Sequence, residues 1–270
     1  IIDTMEKAGI PLFSCAASAK ITNPVKKWVF SSAQTDVLAV KRIVKYLEAN
    51  SIKNVAIIYD SNAFGTSGAE QLKAQLPAAG VKIVDEEKFG TKDTDMTAQL
   101  TKIKAKKPEA VICWGTNPGP AVVAKNMKSL GIEAQLIQSH GVANSKFIEL
   151  AGDAAEGVVL PAGKLLVAGE LPESDPQKAV LMKFSADYEA ANGKPADTFG
   201  GHAYDSLAML VVALKSAGEE PAALRDAIEA IQGHAGIGGV FNLSATDHNG
   251  LTEEAFTFVK ITGGKWTMAE

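Results

Sequence analysis

The chain has 270 residues, 46% of them hydrophobic and 21% charged, with a formal net charge of -4. That length suggests two domains with sizeable cores behind an ordinary soluble surface. No basic patch interleaved with aromatics points to nucleic acid, and no run approaches the roughly 20 apolar residues that cross a bilayer.

The first residues, Ile1 to Ala8, read as a helix stopped by Gly9 and Pro11. A strand follows at Leu12–Ala16, then a loop of small and hydroxyl residues, Ala17-Ser18-Ala19, then a strand at Trp28–Ser32. Asp36 starts a helix through Ala49, with Val37, Val40, Ile43, Val44 and Leu47 at helical spacing. From Lys53 to Gly163 a strand–helix unit repeats. The apolar runs Val55–Tyr59, Ala110–Trp114 and Ala134–Ile137 end in Asp60-Ser61-Asn62, Gly115-Thr116-Asn117-Pro118 and Gln138-Ser139-His140-Gly141. Each is followed by a helical pattern: 63–79, 120–130 and, capped by Asn144, 145–152. Lys82–Phe89 adds a strand, and Asp95 caps a helix carrying Leu100 and Ile103. Gly157–Leu160 is a further strand.

The pattern then changes. Lys164 to Ser174 reads as a loop, and Asp175-Pro176 as the start of a helix that ends at Asn192-Gly193. Helices are expected over 195–217 and 221–231, strands at Val240–Leu243 and Phe256–Ile261, and a Gly263-Gly264 turn before the end. Cys15 and Cys113 each sit in an apolar run, which reads as a small buried hydrophobe, with a disulfide or a reactive thiol as the other options. So few cysteines suit either a reducing compartment or an exported protein large enough to need no staples.

Continuous apolar strands alternating with amphipathic helices imply an α/β fold with parallel sheets flanked by helices, and ligands in such sheets sit beyond the strands' carboxyl ends. The opening segment has strands without cover, and the helices of 175–231 have few strands of their own. Packing them together gives one lobe of 1–33 plus 164–252 and another of 34–163 plus 253–270, with three crossings.

Several ordered motifs carry a resemblance. They are Gly9-Ile10-Pro11-Leu12-Phe13-Ser14 with Ala16-Ala17-Ser18 and Trp28-Val29-Phe30, then Ala56 to Gly65, then Asp95 to Val111. Gly141-Val142-Ala143-Asn144 and Ala151 to Val158 complete the set. Over nearly its whole length the chain resembles the branched-chain amino-acid (leucine/isoleucine/valine-type) substrate-binding proteins of ABC importers. The resemblance implies a two-lobe, type I periplasmic-binding-protein fold whose first lobe is incomplete. At about 30 residues per strand–helix unit, on the order of a hundred residues holding the signal peptide and some ligand contacts would be absent. An incomplete lobe would expose apolar faces and be poorly stable alone.

The resemblance also implies site residues. Ala16, Ala17 and Ser18 match the loop whose backbone and hydroxyl hold a ligand carboxylate, and small residues with free N–H groups suit an anion. Phe64 matches a position for an aromatic that packs on the ligand. Ser61 and Asn117 lie at strand ends, and Tyr204 matches a tyrosine at the cleft edge. His140 stands where amino-acid binders often carry an acid that pairs with the ligand ammonium. A neutral imidazole pairs weakly with an ammonium, a protonated one repels it, and an unpaired buried ammonium costs several kcal/mol. A carboxylate-bearing ligand without an α-ammonium, of aromatic character, would suit Ser18, Phe64 and His140. Each residue also has a plainer reading: turn chemistry for Ser18, Asn117 and His140, core packing for Phe64.

The expected function is capture of a small organic acid or amino acid outside the cytoplasm, by a monomer that delivers it to a membrane permease. The expected location is periplasmic or extracytoplasmic, compatible with a lipid tether. A ligand sensor of the same fold is the alternative. An enzyme is disfavoured: Gly65-Thr66-Ser67-Gly68-Ala69 lacks the last glycine of a nucleophile elbow, and no phosphate-loop or dinucleotide motif occurs. The scattered His202, His234 and His248 lack ligand spacing, so neither metal nor cofactor is expected.

Overall fold

A computed structural model describes residues 1–269. Its contacts divide the chain into two compact units: residues 1–35 with 163–256, and residues 36–162 with 257–270.

The second unit is built on a seven-stranded sheet. Its strands are β3 (Asn54–Asp60), β4 (Lys82–Phe89), β5 (Ala110–Trp114), β6 (Gln135–Gln138), β7 (Val159–Gly163), β10 (Phe256–Thr262) and β11 (Lys265–Met268), in the order β11-β10-β7-β6-β5-β3-β4. From β4 to β7 the pairing is parallel, and β10 with β11 is antiparallel. Every residue of β5 is buried, as expected of a central strand covered on both faces. β4 closes one edge, and its Glu86 and Glu87 pair with Lys73 and Lys102, which keeps that edge charged. Helices α2 (Asp36–Ala49), α3 (Ala63–Ala78), α4 (Thr97–Lys106), α5 (Gly119–Ser129) and α6 (Ser145–Ala151) fill the crossovers. Val40, Ile43 and Leu47 on α2, and Leu72 and Leu76 on α3, are fully buried, at about 1.5–3 kcal/mol each. The Tyr46 ring stacks on Phe258 of β10, centroids 4.2 Å apart.

The first unit has a smaller framework. β1 (Leu12–Ser14) and β2 (Val29–Ser31) form a two-stranded parallel sheet in register Leu12 to Val29. Around it lie α1 (Ile2–Ala8), α7 (Lys178–Asn192), α8 (Thr198–Ala217), α9 (Pro221–Glu229) and the short pair β8 (His234–Ala235) and β9 (Val240–Phe241). One core cluster joins Leu165, Ala168, Leu171, Leu181, Phe184 and Ile237. The loop 236–239 is clamped from both sides: the Asp205 carboxylate accepts the N–H groups of Ile237 (2.7 Å) and Gly238 (2.6 Å), and Gln177 donates to the carbonyl of Gly236 (2.9 Å).

Several expectations need correction. Residues 164–170 are helical 3-10 turns, not loop. The helix placed at Asp175-Pro176 begins at Lys178, because the Asp175 carboxylate is occupied by Lys164 Nζ (2.7 Å) and by the N–H of Gln177 (2.9 Å). The helix placed at 195 begins at Thr198, where Asp197 caps it through Gly200 N–H. Asn144 precedes α6 but makes no side-chain cap, and its Oδ1 is buried without a hydrogen-bond partner. Cys15 is exposed rather than buried, since β1 ends at Ser14, whereas Cys113 is buried as read. Burial pushes the Cys113 thiol up, out of the range where a thiolate forms.

Candidate functional site

The expected site residues fall into two groups, one in each unit. In the second unit the carboxyl ends of β3, β5 and β6 bring three rings together. Asn62 caps α3 by accepting the N–H of Gly65 (2.9 Å), which places Phe64 in the helix's first turn, just past β3. Only glycine fits after it: a Cβ at Gly65 would lie 1.9 Å from the Asp60 carbonyl oxygen.

At the next two strand ends Ser139 acts as a hub. Its N–H donates to the Cys113 carbonyl (2.9 Å). Its hydroxyl donates to the Gly115 carbonyl (3.2 Å) and accepts the N–H groups of Gly115 (3.4 Å) and Gly141 (3.3 Å). This ties the end of β5 to the end of β6 and fixes His140 between them. The His140 ring stands edge-on to Phe64 (centroids 5.4 Å, 83°) and to Trp114 (5.6 Å, 84°), while Phe64 and Trp114 lie 5.9 Å apart. Such edge-to-face pairs contribute about 0.5–1.5 kcal/mol each beyond burial. Close approach is secured by glycine at two points. A Cβ at Gly141 would fall 2.6 Å from Phe64 and 2.5 Å from the Gly115 oxygen, and one at Gly68 would fall 2.1 Å from the Trp114 ring.

The other residues of this group have less distinct roles. Asn117 follows β5, and its Oδ1 is buried without a hydrogen-bond partner. Ser61 is exposed, and its backbone N–H is used by Phe89 at the end of β4 (2.8 Å). Asp60 uses Oδ1 for the N–H of Asn62 (3.0 Å) and the hydroxyl of Thr91 (2.7 Å), while its Oδ2 is buried with no hydrogen-bond partner.

In the first unit, Ala16, Ala17 and Ser18 follow β1 directly. The Ala16 N–H donates to Ser14 Oγ (3.2 Å), and the Ser31 hydroxyl donates to the Ala16 carbonyl (3.3 Å). Ser18 precedes a 3-10 turn at Ala19–Ile21, and Lys26 closes the loop by donating to the carbonyls of Lys20 (2.8 Å) and Ile21 (2.7 Å). The loop therefore holds its shape through its own polar groups. Tyr204 is not gathered with it. Its ring packs on Phe184 of α7 (5.1 Å), whereas the face of α8 that meets the loop's side of the sheet carries Ser206, near Cys15 Sγ (3.7 Å) and Ser32 (2.8 Å). Positions 204 and 206 point to different helix faces.

Reading the sequence singled out Phe64 and His140 but passed over Trp114 and Ser139. A tryptophan ending an apolar run carries no periodic signal that separates it from core, and a serine after a strand reads as a turn. Among the described residues no group of three or more His, Cys, Asp or Glu side chains could hold a metal ion, and no helix is long and apolar enough to cross a membrane.

Comparison with known proteins agrees with this architecture. The family described as "Periplasmic binding protein" matches residues 1–265. A Leu/Ile/Val-binding protein of Rhizobium johnstonii, BraC3, is 26% identical over all of this chain and 71% of its own length. A leucine-, isoleucine-, valine-, threonine- and alanine-binding protein of Pseudomonas aeruginosa is 26% identical over 84% of this chain and 60% of its own length. The crystal structure of an extracellular ligand-binding receptor from Rhodopseudomonas palustris HaA2 matches with a TM-score of 0.92 and 30% identity, covering 99% of this chain and 77% of that one. These relatives are named as binding proteins and receptors, not enzymes. The parallel sheet and a match over almost the full length lead to one assignment: the chain belongs to the periplasmic binding protein family.

Proposed function

We propose that this protein captures a small carboxylate-bearing solute by closure of its two units and hands it to an ABC permease outside the cytoplasm, acting as a monomer. On this reading the Ala16–Ser18 loop exchanges internal contacts, such as that of the Ala16 N–H with Ser14 Oγ, for the carboxylate, and the Phe64–Trp114–His140 corner takes the body of the solute. No covalent step is involved. The observation that carries the ligand class is His140, seated edge-on between two rings where it offers an imidazole and no carboxylate to a ligand ammonium. Rings that pair through their edges and faces suit an aromatic or otherwise flat apolar body, so the preferred ligand is an organic acid without an α-ammonium.

A second reading is supported by Asp60, whose buried Oδ2 has no hydrogen-bond partner, and by the relatives named for leucine, isoleucine and valine. Here the ligand is an amino acid, and Asp60 answers its ammonium. Calorimetric titration with benzoate and with leucine separates the two. The first reading expects micromolar benzoate binding, unchanged in Asp60→Asn and lost in Ser18→Ala with His140→Ala. Leucine binding that disappears in Asp60→Asn establishes the second reading instead.

A further inference from the structure

The chain passes between its units after Thr35, after Ala162 and after Phe256. One side chain of the first unit touches the structure beside all three points. Gln34 is 2% exposed, and its Nε2 donates to the carbonyl of Ala255 at 3.3 Å, joining the first crossing to the third. The second crossing reaches the same amide at Gly163, where an added Cβ would lie 3.0 Å from Gln34 Nε2 and 3.2 Å from Thr198 Cγ2. Gly163 has φ -60° and ψ 144°, a conformation open to any residue, so backbone geometry does not call for glycine there. Space does: the Gln34 amide and the Thr198 methyl together occupy it.

A second tie reinforces the first. Asn249 Nδ2 donates to the carbonyls of Ser31 (3.1 Å) and Ala33 (2.9 Å), and so holds the approach to the first crossing against the segment that leads to the third. A buried amide is costly unless it is bonded, and an apolar side chain could fill this space as well. What an apolar chain cannot do is bond a carbonyl on a different crossing.

We infer that Gln34 is a hinge pin: its amide couples the three crossings, so that they bend together rather than one at a time. The inference rests on the closure reading above. Gln34, Gly163 and Ala255 all lie on the first unit's side of the crossings, so the amide fixes where the three chain segments leave that unit.

The test uses the full 270-residue chain carrying Gln34→Leu, Gln34→Asn, Gln34→Ala, Gly163→Ala and the Gln34→Ala/Gly163→Ala pair. Asn keeps an amide that is too short to reach Ala255. Hydrogen exchange by mass spectrometry reads the crossings, with β5 as the internal control for folding. Electron spin distances between one label on each unit, in a background with Cys15 and Cys113 replaced, read the spread of unit positions. Exchange at 254–258 should rise about five-fold in Gln34→Leu and Gln34→Asn, the ratio one neutral hydrogen bond is worth, and the distance distribution should broaden. Gly163→Ala should do the same alone, and should add less than that once Gln34 is alanine, because the nearer of its two clashes, with Gln34 Nε2 rather than Thr198 Cγ2, is then gone.

Unchanged exchange at 254–258 overturns the pin. So does raised exchange with an unchanged distance distribution, which would make Gln34 a local brace only. Additive effects of the Gln34 and Gly163 changes overturn the shared contact. Failure of the closure reading shows up separately, as wild-type distances that shift with neither benzoate nor leucine even though both crossings respond to mutation.

Discussion

The two units solve the same packing problem to different degrees. The second buries a seven-stranded sheet under helices, with Val55 through Ile58 and all of β5 out of solvent. The first has two sheets of two strands each, and it holds all the large hydrophobic side chains found exposed among the described residues. These include Met182 on α7 and Tyr204, Leu207, Val211 and Val212 on α8. In α1 no residue is buried. The helices of the first unit have apolar faces of ordinary width with less sheet to place against them. What differs between the units is not hydrophobic content but how much of it finds a partner, and that sets how each should respond to change.

The largest effect is expected where packing is complete. Trp114 is fully buried and is braced by Phe64, His140 and the bare backbone of α3 at Gly68. Trp114→Ala should cost about 3–5 kcal/mol. In a calorimetric scan it should move the upper of two transitions, assigned to the second unit, and leave the lower one in place. A single transition that shifts as a whole would mean the units unfold together and would remove the contrast.

The fold's readable and unreadable parts follow the same division. β3, β5 and β6 were legible because strands buried on both faces read as unbroken apolar runs, and α3 because Asn62 and the Gly80 turn bracket it. The first unit was harder to read. The 3-10 turns at 164–170 carry no helical period, and Asp175 looks like a helix start but is engaged by Lys164. Cys15 lies in an apolar run yet is exposed, because burial there depends on neighbouring strands rather than on local pattern. For the site, strand-end polar residues were readable one at a time. The cluster of Trp114 with His140 and Phe64 depends on contacts far apart in sequence, and no local spacing encodes it.

A smaller effect, confined to the first unit, comes from two buried groups on α8 that oppose each other. Burial lowers His202 to about 4, with Asp197 acting weakly the other way. Burial raises Asp205 to about 6, although the N–H groups of Ile237 and Gly238 favour its charged form. The lowered histidine contributes stability that is present above its ordinary value near 6.5 and is lost as pH falls through about 4. The raised carboxyl contributes stability that is present below its ordinary 3.8 and is lost as pH rises through about 6. Each is worth on the order of 3 kcal/mol. Between pH 4 and 6.5 they nearly cancel, so the urea midpoint of the lower transition should be flat. Asp205→Asn should make that unit weaken on acidification, and His202→Leu should make it strengthen. Identical pH slopes in the two variants would show that neither group governs the unit.

The smallest effect tests the comparison most directly. Leu207 is 62% exposed, and Val211, one helical turn on, is 40% exposed on the same stripe. In a complete core a leucine truncated to a polar residue leaves a cavity and an unpaired group. Here the two side chains are already largely open to solvent and leave no closed cavity, so Leu207→Ser with Val211→Ser should cost only about 1 kcal/mol. The readable change lies elsewhere. Fluorescence of a hydrophobic dye bound to the native protein should fall, because contiguous apolar surface is what such dyes report. The same pair of changes at Leu72 and Leu76, fully buried on α3 of the second unit, should unfold that unit. If Leu207→Ser with Val211→Ser instead costs several kcal/mol and dye binding was absent from the start, those side chains are covered in solution, and the asymmetry between the units disappears.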